Sequence, residues 1–119
     1  MKKQASVVLV NAGNAQQAET IAQALVSEKL AACVNIVSPI RSIYRWKGEV
    51  QTETEHMMII KTRANLVAKV EARVRELHSY EVPEVIALPI DAGSKPYLDW
   101  IFASTGAPAR STKKPRRQK

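Results

Sequence analysis

Apolar positions in this chain change period from one segment to the next. Residues 6–11, Ser-Val-Val-Leu-Val-Asn, form a continuous β-rich run that predicts a central strand. Gly13-Asn14 ends the run. Asn14 is placed to cap a helix, with Gln17 at the capping-box position, and Ala18, Ile21, Ala22, Leu25 and Val26 then recur at helical spacing to about Lys29. Residues 31–37 return to strand character, Ser38-Pro39 interrupts them, and residues 40–46 continue extended. There Tyr44 and Trp46 share one face while Arg45 and Lys47 take the other, because side chains alternate across a strand.

Lys47-Gly48-Glu49 predicts a hairpin turn, followed by a long third strand over residues 50–62. One face of that strand carries Val50, Thr52, Thr54, His56, Met58 and Ile60. The other carries Gln51, Glu53, Glu55, Met57, Ile59 and Lys61. The strand is polar toward Glu53 and apolar toward Ile59, as if one end projects past the core. Asn65 is expected to cap a second helix with Leu66, Val67, Val70, Val74 and Leu77 as its buried stripe. Residues 78–83 read as a loop and residues 85–90 as a fourth strand. Ser94 is expected to cap a short last helix carrying Tyr97, Leu98, Trp100, Ile101 and Phe102. The order β-α-β-β-α-β predicts an α+β fold of the ferredoxin-like kind, an antiparallel sheet with two helices on one face and a short C-terminal helix added.

Length and charge refine this picture. A chain of 119 residues with 45% apolar content fits one domain with an adequate but modest core. Tyr44 and Trp46 therefore point to assembly more than to catalysis. The net charge of +7 is unevenly placed: residues 110–119 hold six basic groups and no acid, which leaves the rest close to neutral. We expect a domain over residues 1–105 and a basic, disordered tail over residues 106–119. Such a tail would contact anions nonspecifically and lose them as salt rises, and no specific nucleic-acid partner is implied. The apolar run at residues 7–10 is too short for a signal core, and no segment approaches the roughly 20 apolar residues of a membrane span. The expected setting is cytoplasmic, without a membrane. A single cysteine, Cys33, excludes an internal disulfide.

Much chemistry is missing. The glycines, Gly13, Gly48, Gly93 and Gly106, cannot build a dinucleotide or P-loop fingerprint. There is no C-x-x-C, H-E-x-x-H, calcium loop or G-x-S-x-G elbow, so no enzyme is expected. Cys33 has apolar flanks with no His or Lys beside it in sequence, and it reads as core packing. His56 reads as a packed, hydrogen-bonded histidine. His78 sits where the second helix stops; it either complements the helix dipole or serves as a metal ligand. Glu53 and Glu55 lie two apart on a strand, roughly 7 Å at the backbone, and their polar neighbours favour a solvated or interfacial face.

Several spaced motifs carry a resemblance. They are Lys29-Leu-Ala-Ala-Cys-Val-Asn, Tyr44-x-Trp-x-Gly48, Glu53-x-Glu55, Lys61-Thr62, His78-x-Tyr80-x-x-Pro83-Glu84 and Tyr97-Leu-x-Trp100. Together, over about residues 6–104, they resemble the CutA (CutA1) divalent-cation tolerance family. The resemblance implies a ferredoxin-like fold, a PII-like homotrimer, a cytoplasmic setting and a link to copper and other divalent metals, with no enzymatic activity. Copper binding in some members is associated with a cysteine ending the first strand and a His-His pair after the second helix. Here those positions are Asn11 and Leu77-His78, so only His78 matches.

On that footing the candidate metal groups are His78, Glu53 and Glu55, with Tyr80 nearby, for Cu²⁺ or another divalent cation. Tyr44, Trp46, Tyr80 and Trp100 are the candidate interface residues. A PII-like module for a small anionic ligand at subunit clefts, using Lys61, Arg63, Arg45 and Trp100, is the competing reading. A trimeric scaffold tethered by its tails is the third.

Overall fold

A computed structural model describes residues 4–106. The order is β1 (Ala5–Ala12), α1 (Ala15–Ser27), β2 (Cys33–Trp46), β3 (Glu49–Arg63), α2 (Val67–Leu77), β4 (Ile86–Pro89) and α3 (Lys95–Ala103). The strands form a sheet of order β2-β3-β1-β4, and each neighbouring pair is antiparallel. The ferredoxin-like α+β expectation is met, short last helix included. The expected tail beyond Gly106 lies outside the described residues.

One face of the sheet is sealed. Val8, Val10, Met58 and Ile60 point from it into a core with Ile21 and Leu25 of α1 and Val70 and Val74 of α2, all fully buried. Each such side chain contributes about 1.5–3 kcal/mol by leaving water. Helix α3 closes a second, smaller cluster in which Ile101 meets Ala5 and Ala32, with Trp100 and Phe102 packed against it. Arg63 at the end of β3 holds that helix by its C-terminus. Its guanidinium donates to the Phe102 and Thr105 carbonyls and to Thr105 Oγ1, and it stands 5.3 Å from the Phe102 ring centroid.

Local signals account for most boundaries. Asn14 accepts the Gln17 amide at 2.8 Å and Ser94 accepts the Tyr97 amide at 3.5 Å, so both predicted N-caps stand. Asn65 differs. It lies inside a 3₁₀ turn, Ala64–Leu66, that leads into α2, and α2 starts after Leu66 without a side-chain cap. An N-cap needs extended backbone, and the turn has already committed Asn65 to helical geometry.

Strand β2 runs through Ser38-Pro39 instead of stopping there. It is an edge strand, so the missing proline N–H breaks no ladder bond. Val37 pairs with Met57 and Ile40 with Glu55, which leaves Ser38 and Pro39 opposite the single residue His56. This β-bulge changes which residues of β2 share a face with β3. Before it, Cys33, Asn35 and Val37 stand beside Lys61, Ile59 and Met57. After it, Ile40, Ser42, Tyr44 and Trp46 stand beside Glu55, Glu53, Gln51 and Glu49.

Strand β1 ends opposite His56, so the β2–β3 hairpin continues beyond it as a two-stranded ribbon. Its turn is Lys47-Gly48, both at positive φ (50° and 83°), the two-residue geometry that follows the twist of the strands. The ribbon contributes to the chain's long dimension of 50 Å against 28 and 27 Å.

Candidate functional site

The face of the sheet turned away from α1 and α2 carries Val7, Leu9 and Asn11 of β1 opposite Lys61, Ile59 and Met57 of β3, with Leu88 and Ile86 of β4 opposite Val7 and Leu9. Ile86 and Leu88 are half exposed. Toward the ribbon this face turns polar, and there the loop between α2 and β4 comes across to form a cleft of about 730 Å³. The ribbon supplies one wall, with Tyr44, Trp46, Glu53 and Glu55. The loop supplies the other, with Tyr80, Glu81 and Glu84, and Asn11 closes the inner end.

His78 shapes the loop. Its Nε2 lies 2.7 Å from the Asn11 carbonyl and its Nδ1 accepts the Tyr80 amide at 3.1 Å. That pattern requires the proton on Nε2, and it leaves no ring lone pair for a cation. Of the two roles expected for His78, this arrangement is that of a residue at a helix end: the ring is 8% exposed and ties the end of α2 to the end of β1. Its ring also packs against Tyr80 at 4.6 Å between centroids.

Tyr80 in turn reaches back over the sheet. Its hydroxyl donates to Glu55 Oε2 at 2.8 Å and packs so close to Gly13 that a Cβ there would sit 2.9 Å from it. Glu55 is only 6% exposed, so of the solvated or interfacial face expected for both glutamates, the solvated description fits Glu53 alone. Burial, and then the Glu55 carboxylate, pushes the Tyr80 phenol well above its ordinary range. The Glu53 carboxylate beside the Tyr44 hydroxyl raises that phenol too.

Glu84 sits in the same field. It accepts Asn11 Nδ2 at 3.1 Å, and burial, followed by the Glu55 charge, raises its pKa. The oxygen of that amide, Asn11 Oδ1, is buried and has no hydrogen-bond partner. None of the residues lining the cleft is Lys or Arg. Its walls are acidic, with Glu53, Glu55, Glu81 and Glu84. Its carboxylates are nonetheless spread around the walls: among the described residues, no group of three or more His, Cys, Asp or Glu side chains is gathered to hold a metal.

The residues of the anion reading are not brought together. Lys61 donates to Asn35, Arg63 is spent on the end of α3, and Arg45 lies at the far tip of the ribbon, where it reaches the Gly48 carbonyl at 3.4 Å. Trp100 packs in the α3 cluster, 5.4 Å from Tyr97 between ring centroids. Tyr44 and Trp46 stand exposed on the ribbon. Cys33 is partly exposed on the uncovered face and is not one of the buried core residues. His56 meets Ser38 Oγ at 2.6 Å across the bulge. The roles of Asn11 and Glu84 in the cleft were not legible from their sequence neighbours; the match of Glu84 to a longer motif and of Asn11 to a copper-associated cysteine position were the only signals.

Comparison with known proteins agrees with this fold. Residues 6–104 match the family described as CutA1 divalent ion tolerance protein. The chain is 50% identical over 100 residues to the divalent-cation tolerance protein CutA of Thermus thermophilus, covering 84% of this chain and 97% of that one. It is 50% identical over 99 residues to the chloroplastic Protein CutA of Arabidopsis thaliana, where the match covers 83% of this chain and only 54% of the plant protein. The structure is similar to that of the Thermus thermophilus divalent cation tolerance protein, with a TM-score of 0.84 at 49% identity, covering 86% of this chain and 99% of that chain. It is also similar to that of the Archaeoglobus fulgidus CutA, described as periplasmic, with a TM-score of 0.82 at 42% identity, covering 84% and 97%.

Proposed function

We propose, because the chain belongs to the CutA1 divalent ion tolerance protein family, that it acts in divalent-cation tolerance as a non-enzymatic homotrimer that binds Cu²⁺ or another divalent cation weakly. The observation that carries the cation reading is the cleft between ribbon and loop, whose walls hold Glu53, Glu55, Glu81 and Glu84 and no basic side chain. Hard cations take carboxylate and carbonyl oxygens, and Asn11 Oδ1 adds an unpaired acceptor. The dispersal of the carboxylates makes the binding weak in a single chain. Among the described residues no helix is long and apolar enough to cross a membrane. The cytoplasm is the proposed setting, although relatives include proteins described as chloroplastic and periplasmic.

The trimer is proposed from what one chain leaves uncovered. A two-stranded ribbon is marginally stable alone in water, and here it also presents Tyr44 and Trp46. The uncovered sheet face continues from it with Val7, Leu9, Met57 and Ile59. A second copy supplies a surface of matching chemistry to cover both. Titration calorimetry with Cu²⁺ on the parent chain and on the Glu53→Gln, Glu55→Gln double variant tests the cation site. The variant is expected to lose most of the heat; equal isotherms would remove these carboxylates from the reading.

A further inference from the structure

A surface that meets only its own copy closes a pair, whereas a ring of three needs two different surfaces on each chain. The ribbon face with Tyr44 and Trp46, and the sheet face that continues from it, supply one. Past the bulge the two faces of the ribbon differ in charge. The front, on the cleft side, holds Glu49, Glu53 and Glu55 of β3 beside Trp46, Ser42 and Ile40 of β2. The back holds Arg41, Ile43 and Arg45 of β2 beside Thr54, Thr52 and Val50 of β3, with no acid among them.

The back is as bare as the front. β1 ends opposite His56, short of these residues, and Ile43 and Val50 are 68% and 63% exposed. They are diagonal neighbours across the two strands and form one aliphatic patch between the arginines. Arg41 and Arg45 are exposed, and among the described residues neither joins an ion pair. Front against front, or back against back, would set like charges together, which an interface disfavours strongly. Front against back brings guanidinium groups to carboxylates and lays Ile43 and Val50 near the rings of Tyr44 and Trp46. A guanidinium also stacks on an aromatic face, which an ammonium does less well.

We propose that the back of each ribbon docks on the acidic, aromatic front of the next copy, head to tail, with Arg41 and Arg45 meeting Glu53 and Glu81 of the partner subunit. The inference rests on the homotrimer proposed above and supplies its second surface. Glu55, bound to Tyr80, and Glu84, bound to Asn11, stay at the inner end of the cleft. Light scattering of the full chain on dilution is the test, with four proteins compared. They are the parent, Arg41→Glu with Arg45→Glu, Glu53→Lys with Glu81→Lys, and all four changes together. Every one of these positions is exposed, so the fold of a single chain should tolerate them. Each reversed pair should weaken self-association roughly tenfold or more. The fourfold variant, with the charges of both faces exchanged, should recover most of it. Assembly of the Arg41→Glu, Arg45→Glu variant equal to that of the parent, or no recovery in the fourfold variant, overturns the front-to-back contact and leaves the trimer standing. A parent chain that stays monomeric at every concentration removes the trimer and this contact with it.

Discussion

The Tyr80 hydroxyl donates to Glu55 Oε2 at 2.8 Å and so joins the loop after α2 to the middle of β3. One side of this bond is a carboxylate that the fold has taken almost wholly out of water. The other is a phenol whose proton is held more tightly by burial and then by that carboxylate. The contact fixes the inner wall of the cleft and closes the end of the sheet face that α1 and α2 leave bare.

Tyr80→Phe should leave that carboxylate short of a donor. A hydrogen bond to a charged group is worth about 1.5–3 kcal/mol. A loss of that order in denaturant unfolding at neutral pH is expected, with little loss when Glu55→Gln is already present. A full-size loss in the Glu55→Gln background would show that Tyr80 acts through packing alone.

Gly13 lies under the same hydroxyl, where an added Cβ would come within 2.9 Å of it. Gly13→Ala should cost about 1–3 kcal/mol by overpacking. In Tyr80→Phe the clash partner is gone, so the two substitutions should combine to less than their sum. Strict additivity in a double-mutant cycle would count against this contact.

Glu84 gives a pH dependence with a definite sign. Its pKa is raised by burial and then by Glu55, so the fold favours its neutral form. The penalty is absent below the ordinary carboxyl range and grows as pH rises through the raised pKa. Glu84→Gln should therefore stabilise the protein at pH 7, by less than about 1 kcal/mol because the group is largely open to solvent. The advantage should vanish at acid pH, where both proteins carry a neutral side chain. Melting curves of the pair between pH 7 and pH 4 provide the check; a gap that widens toward acid would contradict the assignment.

Trp46→Ala should weaken self-association. Light scattering on dilution and on heating is expected to find the variant leaving its assembled state at higher concentration and lower temperature than the parent chain. An unchanged assembly with an unchanged melting point would move the interface off the ribbon.

The sheet and helices were legible because their signals are local. Asn14 and Ser94 stop and start the backbone within four residues, and the alternation along residues 50–62 places Met58 and Ile60 on the buried face. The cleft was less legible because its partners are far apart in sequence. Tyr80 and Glu55 are separated by 25 residues, and nothing near Glu55 announces that a phenol will cover it. His78 was visible as a residue at a helix end, but the two backbone groups that occupy its ring were not. Asn65 misled for a related reason: a capping residue type is a signal only where the preceding turn leaves its backbone extended.

The extra residue in β2 sets the parity of everything beyond it. Counting from Cys33, odd-numbered side chains face the uncovered side of the sheet up to Val37, and even-numbered ones from Ile40 onward. Removing one of Ser38 or Pro39 would restore plain alternation between Val37 and Ile40 and leave Tyr44 and Trp46 on the uncovered side, whereas removing both would set Ile40 directly after Val37 and turn them to the opposite side. In that second case the cationic Arg41 and Arg45 would turn toward a wall now acidic and aromatic. The electrical sign of the cleft is thus written in a count of residues as much as in their identity, and the loss of one residue here should be tolerated better than the loss of two.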